Sequence, residues 1–160
     1  FAPTALVIGI FREIAKLHLV NTYLALILVY AAFNMAFSIW ILSSFFASIP
    51  QEIEEAAWID GCSRVSTLLR IVLPLSLPGL ATAFIFTFIA AWNEFVIALT
   101  LTSSPEQEPL TVGLTALIGF YQVQWQYLFA GSLIAIAPVV ILFALIEKWL
   151  VGGLTAGSVK

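Results

Sequence analysis

Charge is what this sequence has least of. Only 9% of its 160 residues are charged, against 62% hydrophobic residues and a mean hydropathy of +1.08, whereas soluble domains carry roughly 25% charged residues. A chain so poor in charge cannot cover a water-facing surface, and much of it must face lipid. Cysteine occurs once, as Cys62, and histidine once, as His18. That excludes a disulfide framework, a cysteine-based metal site and any multi-histidine site within the chain. The net charge of −3 lacks the basic patch that nucleic-acid binding needs. No HExxH, G-x-S-x-G or P-loop lysine motif occurs, so the chain hydrolyses no ATP by itself and driven transport would need an engine in another subunit.

What is present is a series of apolar runs with polar breaks. The opening FAPTALVIGIF has no initiating Met and no charged leader, and reads as a chain already under way rather than as a signal peptide. Ala2 to Phe11 is too short to span a bilayer and is expected to be the outer half of a truncated helix. Arg12, Glu13, Lys16 and His18 then predict a short polar connection ending near Asn21-Thr22. No charge occurs from Leu19 to Gln51, and Thr22 to Phe46 is long enough to cross with some tilt, with Tyr23 as an interfacial anchor. Leu75 to Thr102 and Leu128 to Leu150 predict two further crossings, the latter with Pro138 as a kink. Ser103 to Pro109 is turn-rich, and Leu110 to Phe120 is too short to span. Tyr121, Trp125 and Tyr127 have the look of an aromatic belt. The tail, residues 151–160, is small, polar and glycine-rich.

The break from Ser48 to Pro74 is the richest in signals. Ser48 with Gln51 fits a capping box and Pro50 a first helical turn. Glu52, Glu54 and Glu55 suit the positive end of a helix dipole. Gly61 is a natural stop, and Ser63 can cap a second short helix through Arg70, before Pro74 and Pro78 end the pattern. Ala56 and Ala57 leave a low surface, Glu55 offers a carboxylate that an Arg could grip with two hydrogen bonds, and Trp58 and Ile59 add apolar area. Taken on physics alone, such a loop is either a docking surface or an amphipathic connector lying on the membrane. Arg64 and Arg70 in the loop, with Lys148 and Lys160 near the end, put the loop and the C-terminus on the cytoplasmic side.

The spacing EAA-x3-G-x9-I-x-L-P is met at Glu55, Ala56, Ala57, Gly61, Ile71, Leu73 and Pro74. Together with PLSLPGLATAFIFTFIAAWNEFVIAL and the tail GLTAGSVK, it resembles the permeases of binding-protein-dependent ABC importers, in their MalG-like carbohydrate branch. The likeness runs from about Leu17 to Lys160, the C-terminal part of such a subunit. It implies an all-α, polytopic membrane protein of type-1 importer architecture, one transmembrane domain over 1–160 with three full crossings and a partial N-terminal one. It implies a non-catalytic subunit whose partners are an ATPase dimer that uses ATP and Mg, a second permease, an extracytoplasmic solute-binding protein and the lipid of a bacterial inner membrane. By motif position, Glu55, Ala56, Ala57, Trp58, Asp60, Gly61, Ile71, Leu73 and Pro74 would dock on the ATPase, and Gly153, Leu154, Thr155, Gly157 and Lys160 of the tail would reach it too. The chain departs from the family where a proline is common, at Ala36, and where a basic residue often precedes the tail, at Gly152.

Asn93 and Glu94 form the remaining polar spot. About 28 Å of helix separates Leu75 from Glu94, near the edge of a core of about 30 Å. Glu94 then either lines the outer mouth of a translocation path, where a sugar hydroxyl could bond, or ends a helix at headgroup depth. Glu147 and Lys148 snorkel, and Gly131, Ser132 and Ala135 suit a packing face between helices. An importer of polyamine, amino acid or phosphate shares the loop motif, and an ATP-independent carrier or a purely structural subunit would keep the loop as a connector only. No metal site is expected.

Overall fold

The computed structural model describes the backbone of residues 3–119 and 122–156, and the surroundings of side chains within 5–119 and 122–147. The described residues are mostly helical. A 3-10 turn, Pro3–Leu6, leads into α1, Val7–Lys16, and α2, Tyr23–Ala47. The loop region holds α3, Gln51–Ile59, and α4, Arg64–Thr67, which passes through a π turn, Leu68–Val72, into α5, Leu73–Leu75. Then come α6, Leu77–Trp92, α7, Val96–Leu101, α8, Leu110–Gly113, a 3-10 turn, Leu114–Leu117, and α9, Trp125–Ala156. Among the described residues the only β pairing is an isolated antiparallel bridge between Ile118 and Val123.

Two compact units are distinguishable, one from Phe1–Met35 with Phe88–Ile141, the other from Ala36–Thr87 with Leu142–Lys160. The first has a core of Ile14, Ala25, Leu26, Val29, Ile97, Ala98, Leu101 and Val112. Apolar residues at 25, 26 and 29 share one face of α2, as 3- and 4-residue spacing requires. Arg12, Glu13 and Lys16 fall inside α1, not in a polar connection as expected: the buried Ile14 keeps that stretch helical, and the Lys16–Glu13 pair at 2.7 Å lies on its exposed side. The turn is later, where His18 and Asn21 have φ of 55° and 61°. Asn21 suits that left-handed position, and its side chain staples the unit. Its Oδ1 accepts from the Ser103 and Ser104 N–H groups at 2.9 and 3.1 Å, and its Nδ2 donates to Ser104 Oγ at 2.7 Å. Tyr23 donates to the Glu106 carbonyl beside it.

The stretch from Leu75 to Thr102 is not the single crossing expected from its hydropathy. It breaks at residues 93–95 into α6 and α7. Apolar composition is equally high on both sides of the break, so hydropathy cannot register it. Asn93 and Glu94 redirect the backbone bonding, as described below. In α9 the small residues meet neighbours: a Cβ on Gly131 would collide with Leu114, and Trp92 Nε1 donates to the Ala135 carbonyl at 2.9 Å.

In the second unit Ser38 and Thr87 share a hydrogen bond of 2.9 Å, and Phe37 meets Phe86 edge-on with ring centroids 5.7 Å apart. A Cβ on Gly79 would strike the Phe45 ring, so this glycine permits a close helix approach. Gly153, Leu154 and Thr155 of the glycine-rich tail belong to α9, which continues to Ala156, while Gly157 and Lys160 lie outside the described residues. Tyr121 of the expected aromatic belt lies outside them too, and Trp125 and Tyr127 form the first turn of α9.

Among the described residues, Tyr23–Ala47 and Trp125–Glu147 are helices long and apolar enough to cross a membrane, and Arg64–Leu75 with Leu77–Trp92, bent by 70°, form a third candidate if taken as one span.

Candidate functional site

The loop is a hook of two short helices. The α3 helix begins after Pro50, and the expected capping box does not form, because Pro50 rather than Ser48 occupies the N-cap position, while Ser48 Oγ donates to the Phe45 carbonyl at 2.7 Å. Glu52 and Glu54 in the first turn answer the dipole instead. The end of α3 is well defined. Gly61 has φ +85°, its N–H donates to the Trp58 carbonyl at 3.0 Å, and the Cys62 N–H donates to the Ala57 carbonyl at 2.9 Å. This is the Schellman arrangement, which satisfies carbonyls the helix would leave open and favours glycine at the left-handed position. Ser63 caps the next helix by accepting from the Ser66 N–H at 3.3 Å.

That second helix does not stop at Arg70 as expected. In the π turn the Leu73 N–H donates to the Leu68 carbonyl five residues back. The wider turn carries the helix into Pro74, whose missing N–H would otherwise break the bonding pattern. The break comes at Ser76, buried and donating from Oγ to the Val72 carbonyl at 2.8 Å.

Glu55, Ala56, Trp58, Ile59, Asp60 and Gly61 are exposed, Ile59 at 86%, whereas Ala57 is buried and Ile71 and Leu73 are half-buried. Pro74 is exposed. The hook therefore presents a carboxylate beside apolar area on one helix, with Ala57 anchoring its inner side. The Arg64 guanidinium lies over the Trp58 ring, 5.2 Å from its centroid, and so ties the two helices together across Gly61. The sequence contains both residues but no periodicity links them across a turn, and this contact is not legible from it.

At the second break, Glu94 is a cap. Its Oε1 accepts from the Ile97 N–H at 2.9 Å and its Oε2 from the Ala98 N–H at 3.0 Å, which meets the open donors of α7. Tyr30 OH donates to Oε2 at 3.1 Å, and Thr111 Oγ1 donates to the Glu94 carbonyl at 3.0 Å. Asn93 is exposed, with Nδ2 donating back to the Ile89 carbonyl at 2.9 Å. The two residues considered together in the sequence thus differ: one organises its surroundings and the other closes its own helix end. Tyr30 and Asn34, four apart on a charge-free helix, were the available signal of a polar stripe facing Glu94.

Long helices apolar on every side, with a polar hook between them, define a multi-pass helical membrane protein. The chain belongs to the family described as the binding-protein-dependent transport system inner membrane component, whose model matches residues 2–155. It is 42% identical, over 100% of its length and 58% of the relative's, to the trehalose/maltose transport system permease protein MalG of Thermococcus litoralis. It is 39% identical, over 100% of its length and 56% of the relative's, to the sulfoquinovosyl glycerol transport system permease protein SmoH of Agrobacterium fabrum. One chain in the crystal structure of a bacterial ABC transporter involved in the import of the acidic polysaccharide alginate superposes with a TM-score of 0.70 at 29% identity, covering 88% of this chain and 55% of that one. The chain spans about half the length of the curated relatives it matches. MalG-like sugar-importer permeases are the branch to which these relatives point.

Proposed function

We propose that the chain is the loop-bearing part of one permease subunit of an ATP-driven importer of a sugar or oligosaccharide. The observation that carries this is the exposed face of α3, where Glu55 and Ala56 sit beside Trp58 and Ile59 on a helix held rigidly by the Gly61 turn. A connector lying in the headgroups would pair its apolar residues with lipid and its charges with water. This hook places a carboxylate and apolar area side by side, as a protein cleft with a basic residue would need. Glu55, Ala56, Trp58, Asp60 and Gly61 dock in the ATPase cleft, the buried Ala57 seating α3 from its inner side rather than forming part of the low outer surface expected of it, and Ile71, Leu73 and Pro74 carry the movement into α6 through the 70° bend at Ser76. The ATPase dimer binds ATP and Mg, a second permease completes the path, and an extracytoplasmic binding protein delivers the solute.

In this reading α2, α6 and α9 are three crossings, with α1 a partial one. The hook and the C-terminal end face the cytoplasm, where Gly153 to Lys160 also meets the ATPase, and Asn93 and Glu94 lie by the translocation path. Relatives whose names record trehalose/maltose, sulfoquinovosyl glycerol and diacetylchitobiose transport support a saccharide as the solute.

The test is purification of the solubilised full-length subunit from its own cells. A nucleotide-binding ATPase should accompany it, and Cys62 in intact cells should resist an impermeant thiol reagent added outside. Labelling from the outside, or a preparation free of ATPase, rejects the assignment.

A further inference from the structure

The first unit contains a cavity of about 410 Å³ lined by Tyr30, Phe33 and Asn34 of α2 together with Ala90, Ala91 and Glu94. Its volume lies within the ~300–1,000 Å³ of sites that hold small organic molecules. The three α2 residues stand at i, i+3 and i+4, so they share one face. Two aromatic rings give apolar faces, and two polar groups give acceptors. Asn34 Nδ2 donates to the Tyr30 carbonyl at 2.8 Å, which orients the amide and leaves its oxygen free of described protein donors. The Glu94 carboxylate has two backbone N–H groups and one phenol on it, and a carboxylate has about four acceptor positions. Among the described residues no basic one lines the cavity.

We propose that this cavity is a subsite for one ring of a neutral, polyhydroxylated solute, and that it discriminates against anionic solutes. Ring C–H faces lie against Tyr30 and Phe33, while hydroxyls donate to Asn34 Oδ1 and to the remaining position on Glu94. An anion brought beside Glu94 finds like charge in a medium of low dielectric and no cation to offset it. A cation meets the same charge favourably, so the two aromatic faces and the acceptors for hydroxyl groups, rather than charge, are what favour a polyhydroxylated solute over a cation. The inference rests on the importer reading and specifies the charge of what passes.

The experiment uses the complete importer, with its partner permease, ATPase and binding protein, reconstituted in lipid vesicles. Ala90→Cys and, as a second reporter, Ala91→Cys are made in a Cys62→Ser background and labelled with N-ethylmaleimide. Saturating maltose or trehalose should slow labelling at both positions at least threefold, while maltobionate at equal concentration should leave the rate within 1.5-fold of the unliganded value. Equal protection by maltobionate, protection by spermidine alone, or no protection by either disaccharide overturns the subsite. Reporters that stay unreactive in every condition also overturn it, since another chain then fills the cavity. Loss of the subsite alone leaves ATPase activity stimulated by the binding protein, whereas failure of the importer reading abolishes that stimulation in the parent as well.

Discussion

Both polar interruptions, the hook at residues 48–74 and the break at residues 93–95, place carboxylates beside a turn between helices, yet they use them in opposite ways. At the hook the Glu55 carboxylate is exposed, and the turn is made by backbone groups around Gly61. At the break the Glu94 carboxylate is itself the joint, taking two N–H groups and a phenol. A carboxylate that the fold does not consume is available to a partner. One that holds a helix end is part of the architecture first, and contributes to binding only through the acceptor capacity left over.

That contrast gives four predictions. Glu55→Lys should have the largest functional effect and almost no effect on folding. Reversing the charge against a basic cleft costs on the order of 2–5 kcal/mol at an interface, so ATPase retention should fall roughly 30-fold or more, read by co-purification, with an unchanged melting temperature. If Glu55→Lys retains ATPase and imports like the parent, the exposed carboxylate has no partner and the contrast fails. Glu94→Ala should do the reverse, destabilising the subunit by about 2–4 kcal/mol through unmet donors, while ATPase docking per folded molecule is kept. Thermal unfolding in detergent checks this, and Tyr30→Phe, which removes a single donor, should cost about 1 kcal/mol by the same assay. Gly61→Ala should cost about 1–2 kcal/mol, because a Cβ is disfavoured in left-handed backbone. Gly113→Ala, where φ is negative and a Cβ would meet nothing within 4 Å, should not lower stability. Smallest is Arg64→Ala, which removes the guanidinium from the Trp58 ring for about 0.5–1 kcal/mol. Trp58 fluorescence should shift, while Arg64→Lys keeps part of the effect.

Much of this was legible in residues whose physics is local. The charge-free run from Leu19 to Gln51 marks α2 within a residue at either end, expected as Thr22 to Phe46 and found as Tyr23–Ala47. Gly61 marks the corner of the hook because left-handed backbone has a residue preference. Ser103 to Pro109 is the expected non-helical loop. Pro74 misled, since a proline ends a helix only when the preceding turns cannot widen, and the π turn over Leu68–Val72 does widen. At residues 93–95 a helix end was one of two readings of Glu94, and α6 does end at Trp92, but the hydropathy of Leu75 to Thr102 still favoured one unbroken crossing. Hydropathy measures what a segment is made of, while the break is made by Glu94 capping the Ile97 and Ala98 N–H groups, with Tyr30, 64 residues earlier, adding one further donor.

The Asn21 staple has a consequence for biosynthesis. Its donors are on Ser103 and Ser104, the latter 83 residues further along the chain. At about 5–20 residues per second of translation, the nascent chain waits roughly 4–17 s between emergence of the two ends. Throughout that interval the amide must be solvated by water or held by the insertion machinery, so the first unit is completed only after most of the second has already been synthesised.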